Sequence, residues 1–148
     1  MNTLHLLTVG TLVLVVAAGD DGAKVKAELK KLQGAWTLER LEYGGRDITE
    51  TYKVEIAIKD GTLAVAGNKV AEEYGKFALT VDPRTTPRCV DFAVIVGGQK
   101  GAKLEGIYQL KDDKLTFCIQ AFGKDRPDKF KSPEGSSIAV VVFKRKSE

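Results

Sequence analysis

The chain has 148 residues and a formal charge of +3, with 23 Lys and Arg against 20 Asp and Glu. That length suits one domain with a real core and is short for two. Acids and bases interleave up to a terminal Lys144-Arg145-Lys146 run, so the clustered positive footprint of a nucleic-acid binder is missing, and the run reads as the solvated end of a strand.

The first element is an export signal. Residues 1–19, MNTLHLLTVGTLVLVVAAG, carry no Lys, Arg, Asp or Glu. The apolar stretch from Leu6 to Ala18 is short of the roughly 20 residues a membrane-spanning helix needs. Small residues, Ala17-Ala18-Gly19, follow it, and then Asp20-Asp21. This is the layout of a cleavable secretory peptide, although the usual positive start is replaced by His5. The alternative is a transmembrane anchor; with no cysteine after the apolar stretch, a lipid-anchored N-terminus is excluded. The expectation is a mature chain starting near Asp20, secreted or held in the periplasm or cell envelope, with no stable membrane span.

Residues 20–33 place Val25, Leu29 and Leu32 at helical spacing among lysines, which predicts a short amphipathic helix ending before Gly34. From Trp36 the period becomes two. Trp36 and Leu38 share one face, Leu41 and Tyr43 the other, so a bulge or bend is expected near Arg40. Gly44-Gly45 turns the chain. Val54, Ile56 and Ile58 then alternate with charged residues, and Asp60-Gly61 is a strong hairpin signal leading into Thr62–Ala66. A strand is expected around Glu72 to Thr80, a loop over 82–88, and a strand from Cys89 to Val96. Lys103–Leu110 and Lys114–Gln120 form a hairpin about Asp112-Asp113. A long loop from Gly123 to Gly135 precedes the last strand, Ser137 to Arg145. Eight short strands with regular turn signals and no helix between them predict an all-β fold. An antiparallel up-and-down barrel over 34–148 is favoured over a sandwich.

The short helix leading into Gly34-Ala35-Trp36 resembles the start of a lipocalin-type barrel. LQGAW, GIYQLKDDKLTFCIQA, GKDRPDKF and the final VVVFKRK are similar to lipocalin-like secreted domains that occur in many copies in planctomycete genomes. The resemblance runs from about Leu32 to Lys146. It implies that Trp36 closes one end of the barrel with a late cation across it, Arg145 or, in another register, Lys144. The family carries no assigned activity, so fold and export are what the resemblance implies. The Thr-Asp-Tyr motif of true lipocalins is absent and the barrel segment is shorter, which speaks against a large open ligand chamber.

Histidine limits the chemistry. The single one, His5, lies in the expected signal, so the mature chain has none for Ser-His-Asp or Cys-His catalysis or for a histidine zinc site. Gly97-Gly98 and Gly101 lack the strand-to-helix setting and Lys-Ser/Thr of a phosphate loop. No cofactor or metal is expected.

Asp91 and Glu105 are the candidate carboxylate pair for a hydrolase. If Asp112-Asp113 is a two-residue turn, Leu110 opposes Leu115 and Tyr108 opposes Phe117. Leu104, Tyr108, Leu110, Leu115, Phe117 and Ile119 then share the buried face, and Glu105 and Asp91 face outward. Cys118 and Cys89 fall on the outer face too, two strands apart. Roughly 9–10 Å of sheet exceeds the roughly 7 Å Cα limit for a disulfide, so both thiols are expected free. Arg126-Pro127-x-x-Phe130 reads either as a loop at the barrel mouth contacting a ligand or partner, or as a loop pinned by Pro127 with Phe130 dipping into the core.

The reading is therefore a non-enzymatic binding domain. It would take a small apolar ligand in the barrel, with Tyr108, Phe117, Leu115 and Ile56 as lining candidates, or an envelope protein partner. The alternatives are an accessory module whose barrel is filled by its own side chains and a carboxylate hydrolase. A cavity of about 300 Å³ or more would favour ligand binding over the self-filled module.

Overall fold

The computed structural model describes residues 21–67, 69–123 and 125–147; the expected export segment, 1–19, lies outside the described residues. Residues 21–32 form helix α1. The strands are β1 (Gly34–Tyr43), β2 (Arg46–Asp47), β3 (Glu55–Lys59), β4 (Thr62–Ala66), β5 (Lys76–Asp82), β6 (Arg88–Val96), β7 (Lys103–Lys111), β8 (Lys114–Gln120) and β9 (Ile138–Arg145). A 3-10 turn covers Thr49–Thr51 and a short helix, α2, covers Lys69–Glu73. The sheet order is β1-β3-β4-β5-β6-β7-β8-β9, and β1 also pairs with β9. Eight antiparallel strands thus close into an up-and-down barrel, which leaves no exposed barrel edge to recruit another chain. The two-residue β2 is added to β1 beside the closure.

Local chemistry sets the register. Asp60 (φ 50°) and Gly61 (φ 77°) both occupy left-handed backbone, as the tight β3–β4 hairpin requires. About the Asp112-Asp113 turn, Leu110 pairs with Leu115 and Tyr108 with Phe117. Along β1 the ladder to β9 shifts between Leu38 and Arg40, so Glu39 is the extra residue of a bulge. The bulge explains the switch of apolar parity: Trp36 and Leu38 before it, and Leu41 after it, all face the interior.

The core runs the length of the barrel. Four phenylalanines cross it edge to face: Phe77 to Phe92 at 5.6 Å, Phe92 to Phe117 at 5.2 Å, and Phe117 to Phe143 at 6.3 Å between ring centroids. Tyr74 stacks on Phe77 at 5.9 Å. Edge-to-face contacts of this kind add about 0.5–1.5 kcal/mol each beyond burial. A second, smaller core lies outside the barrel wall, where Ile107, Cys118 and Val140 are buried with Phe130 and Ile138.

One expectation is corrected. A helix does sit between strands: residues 69–73 are α2, and the strand expected from Glu72 begins at Lys76. Its end is fixed by tertiary bonds, Gly98 N–H to Glu72 O (2.9 Å) and Gln99 N–H to Glu73 O (3.0 Å), which satisfy carbonyls that so short a helix leaves open. Phe130 anchors its loop on a core, the smaller one outside the barrel wall. The outward residues of β7, β8 and β9 at that level are apolar, and the 121–137 segment covers them.

One end of the barrel is sealed by α1 and the two chain-terminal strands. The Arg145 guanidinium lies 4.2 Å from the centre of the fully buried Trp36 ring. It also donates to Gln33 O (2.9 Å) and Lys31 O (3.3 Å), among the last carbonyls of α1, where a cation is favoured. The Trp36 indole N–H donates to Leu32 O at 3.0 Å. Gly34 has φ 133°, and a Cβ there would stand 2.8 Å from Arg145 Nη1. The glycine therefore serves both the backbone turn out of α1 and the passage of the guanidinium.

Two substitutions test this closure. Gly34→Ala is expected to destabilise by about 1–3 kcal/mol, from backbone strain alone. Arg145→Lys is expected to lose about 1–3 kcal/mol, because an ammonium keeps charge but cannot stack and fork to both carbonyls. Urea denaturation of both variants checks the values; a wild-type midpoint for Arg145→Lys would refute the closure.

Candidate functional site: the barrel interior

Above the sealed end the barrel holds a partly open cavity of about 170 Å³. Fourteen residues line it, all aliphatic or aromatic, from all eight barrel strands, the stretch before β3 and α2. Phe77, Phe92, Phe117 and Phe143 form one wall, Leu38, Leu41, Val54 and Ile56 another, and Val70 of α2 reaches it from the end opposite α1. Of the sequence candidates, Ile56 and Phe117 line this space. Tyr108 and Leu115 are buried but do not line it, being nearer the sealed end.

Tyr108 has a different partner. Its hydroxyl donates to Glu28 Oε1 at 2.9 Å. Glu28, in α1, is only 5 % exposed, with the Lys31 ammonium at 3.4 Å and Arg88 Nε at 3.6 Å. Burial, then the hydrogen bond to the Glu28 carboxylate and its charge, push the Tyr108 phenol far above its usual range. The sequence reading missed Glu28. The signal was there: residues 25, 28, 29 and 32 make one helical face, and Glu28 sits in the middle of it.

The outer wall holds the carboxylate candidates. Asp91 and Glu105 are cross-strand partners, each with its side chain about half exposed. Arg126 spans them: Nη2 donates to Asp91 Oδ1 at 2.7 Å and lies 3.8 Å from Glu105 Oε2. Its Nη1 donates to Val90 O (3.0 Å) and Gly106 O (2.7 Å). Both carboxylates thus serve a clamp that fixes the 121–137 segment to the β6–β7 wall.

Cys89 and Cys118 are free and flank Ile107 across three strands. Cys118 lies on the outer face yet is fully buried, because the same segment covers it. Its thiol donates to Lys129 O at 3.2 Å, and burial pushes it above the ordinary thiol range. Cys89 is half-buried and accepts from the Thr85 hydroxyl at 3.3 Å.

Among the described residues no helix is long and apolar enough to cross a membrane, and no three His, Cys, Asp or Glu side chains are grouped to hold a metal ion. No family model matches the chain, and no curated protein matches it either.

Two measurements follow from these environments. In a spectrophotometric titration, Tyr108 should keep its proton well above the pH at which a free phenol ionises. Its folded pKa is raised above the unfolded value, so the stability it adds is complete below pH 10 and is lost as pH rises beyond it; Tyr108→Phe should remove the high-pH phase. A disulfide-exchange reagent should modify Cys89 in the native protein and reach Cys118 only on unfolding, because a buried, protonated thiol is a poor nucleophile.

Proposed function

We propose that this chain is an exported, non-enzymatic, lipocalin-like binding domain whose barrel holds a small apolar molecule. The observation that carries the reading is the wholly apolar cavity of about 170 Å³. An empty apolar cavity of roughly 150 Å³ stays dry and takes up benzene or xenon, so the space suits a guest of one aromatic ring. An occupant would cover apolar surface that the cavity wall otherwise leaves bare. The absence of histidine beyond His5 and the tying of Asp91 and Glu105 to Arg126 favour binding over hydrolysis.

A second reading, the self-filled accessory module, is favoured by the same volume. It falls below the roughly 300 Å³ at which drug-sized ligand pockets begin, and four phenylalanines already pack in a file across the interior.

Native mass spectrometry of the protein purified from its own host separates the two. The expected result is a mature chain beginning near residue 20 that carries a bound apolar molecule or, if stripped, is stabilised by benzene. At benzene ten times Kd the gain should be about 1.4 kcal/mol. A clean apo mass with no response to benzene would favour the self-filled module, and a chain retaining residues 1–19 would overturn export.

A further inference from the structure

The cavity has a neighbour on the far side of the barrel wall. β1 and β3 pair from Gly34–Ile58 to Thr37–Glu55, and past that rung Leu38 N–H donates to Val54 O at 3.0 Å. Beyond the bulge, the same edge of β1 bonds the 48–49 segment instead: Ile48 N–H donates to Leu41 O, and Leu41 N–H to Thr49 Oγ1, both at 2.9 Å. The ladder between β1 and β3 therefore splits, and the wall there is made of side chains. A groove of about 580 Å³ lies over the split, with Glu39, Glu50, Tyr52, Lys53 and Glu55 around it. Leu38 and Val54 line both the groove and the cavity. At that point the two spaces are one layer of side chains apart.

We propose that this seam is the way into the barrel, and that the ligand is amphipathic. Its aryl or short alkyl part fills the cavity, and a neutral hydrogen-bonding head, an alcohol or a carboxamide, lies in the groove. The inference rests on the apolar-ligand reading and deepens it. The cavity wall offers no polar side chain, so a head group inside it would be unpaired and costly. The groove supplies what the cavity lacks. Glu39 is paired with Lys114 at 3.2 Å and Glu55 with Lys146 at 3.3 Å. That leaves Glu50, Lys53 and the Tyr52 hydroxyl, whose side chains have no hydrogen bond or ion pair among the described residues. One acceptor anion, one donor cation and a phenol balance in charge, which suits a head that both donates and accepts over an ionic one.

The test compares ethylbenzene with 2-phenylethanol, which differ by one hydroxyl, on the mature wild-type protein and on Glu50→Ala, a surface variant. In the wild type the two should bind within about threefold of each other, because the hydroxyl is hydrogen-bonded in the groove. Nuclear Overhauser contacts from the hydroxymethylene protons should reach Tyr52 and Val54. Glu50→Ala should weaken 2-phenylethanol by about three- to tenfold and leave ethylbenzene unchanged. If ethylbenzene binds and the alcohol binds more than tenfold weaker, or its head contacts Val70 and Leu104 instead, the seam is overturned and the cavity reading stands. If neither binds, both fail.

Discussion

The structure depends on one cation. Arg145, three residues from the end of the chain, stacks on Trp36 in the first strand and donates to two carbonyls at the end of α1. A barrel closed by pairing its first and last strands needs those strands locked in register. A helix laid across a barrel end needs its final carbonyls satisfied away from water. Arg145 meets both needs with one planar group, which a lysine could not do. Gly34 admits it, and Leu32 accepts the indole proton. The position of α1 follows, and with it the burial of Glu28. A carboxylate can be taken out of water there because Tyr108, Lys31 and Arg88 surround it. The sealed end is thus a polar network inside an apolar fold, and each member gives the next its reason for being placed.

Most of this was legible from residue order because strands advertise their faces. Alternation fixed the inward set on β3, β7 and β8, and the Asp112-Asp113 turn fixed their mutual register. Even the bulge could be read, since apolar parity cannot change along β1 without an extra residue. Three features were hidden for physical reasons. α2 is too short for a helical period to show, and hydrogen bonds from the 97–101 turn hold its end. Glu28 looks like one more charge on a lysine-rich helix unless its place on the apolar face is weighed. The outer core of Ile107, Cys118 and Val140 obeys the parity rule, so those residues do point outward; what alternation cannot say is that a loop anchored by Phe130 and Arg126 covers them.

That outer layer also decides what the acidic residues do. Arg126 reaches two backbone carbonyls of neighbouring strands and the Asp91 carboxylate with one guanidinium. An ion pair this exposed adds little by itself; its effect is to give the long segment a fixed path. Gly106 belongs to the same arrangement, since a Cβ there would stand 2.5 Å from Cys118 O. The strand must be bare at that point for β7 and β8 to lie as close as they do.

The interior poses the opposite problem. Edge-to-face rings pack well in a row but do not tile a cylinder, so a file of four phenylalanines leaves a space beside it. The space falls next to the bulge, where β1 leaves β3 and the barrel wall loses its ladder. These are two consequences of one extra residue: Glu39 turns Leu41 inward and opens the seam that Leu38 and Val54 fill. The bulge thereby sets an apolar hollow one layer of side chains from a groove lined by both acidic and basic residues, so two unlike surfaces meet at Leu38 and Val54.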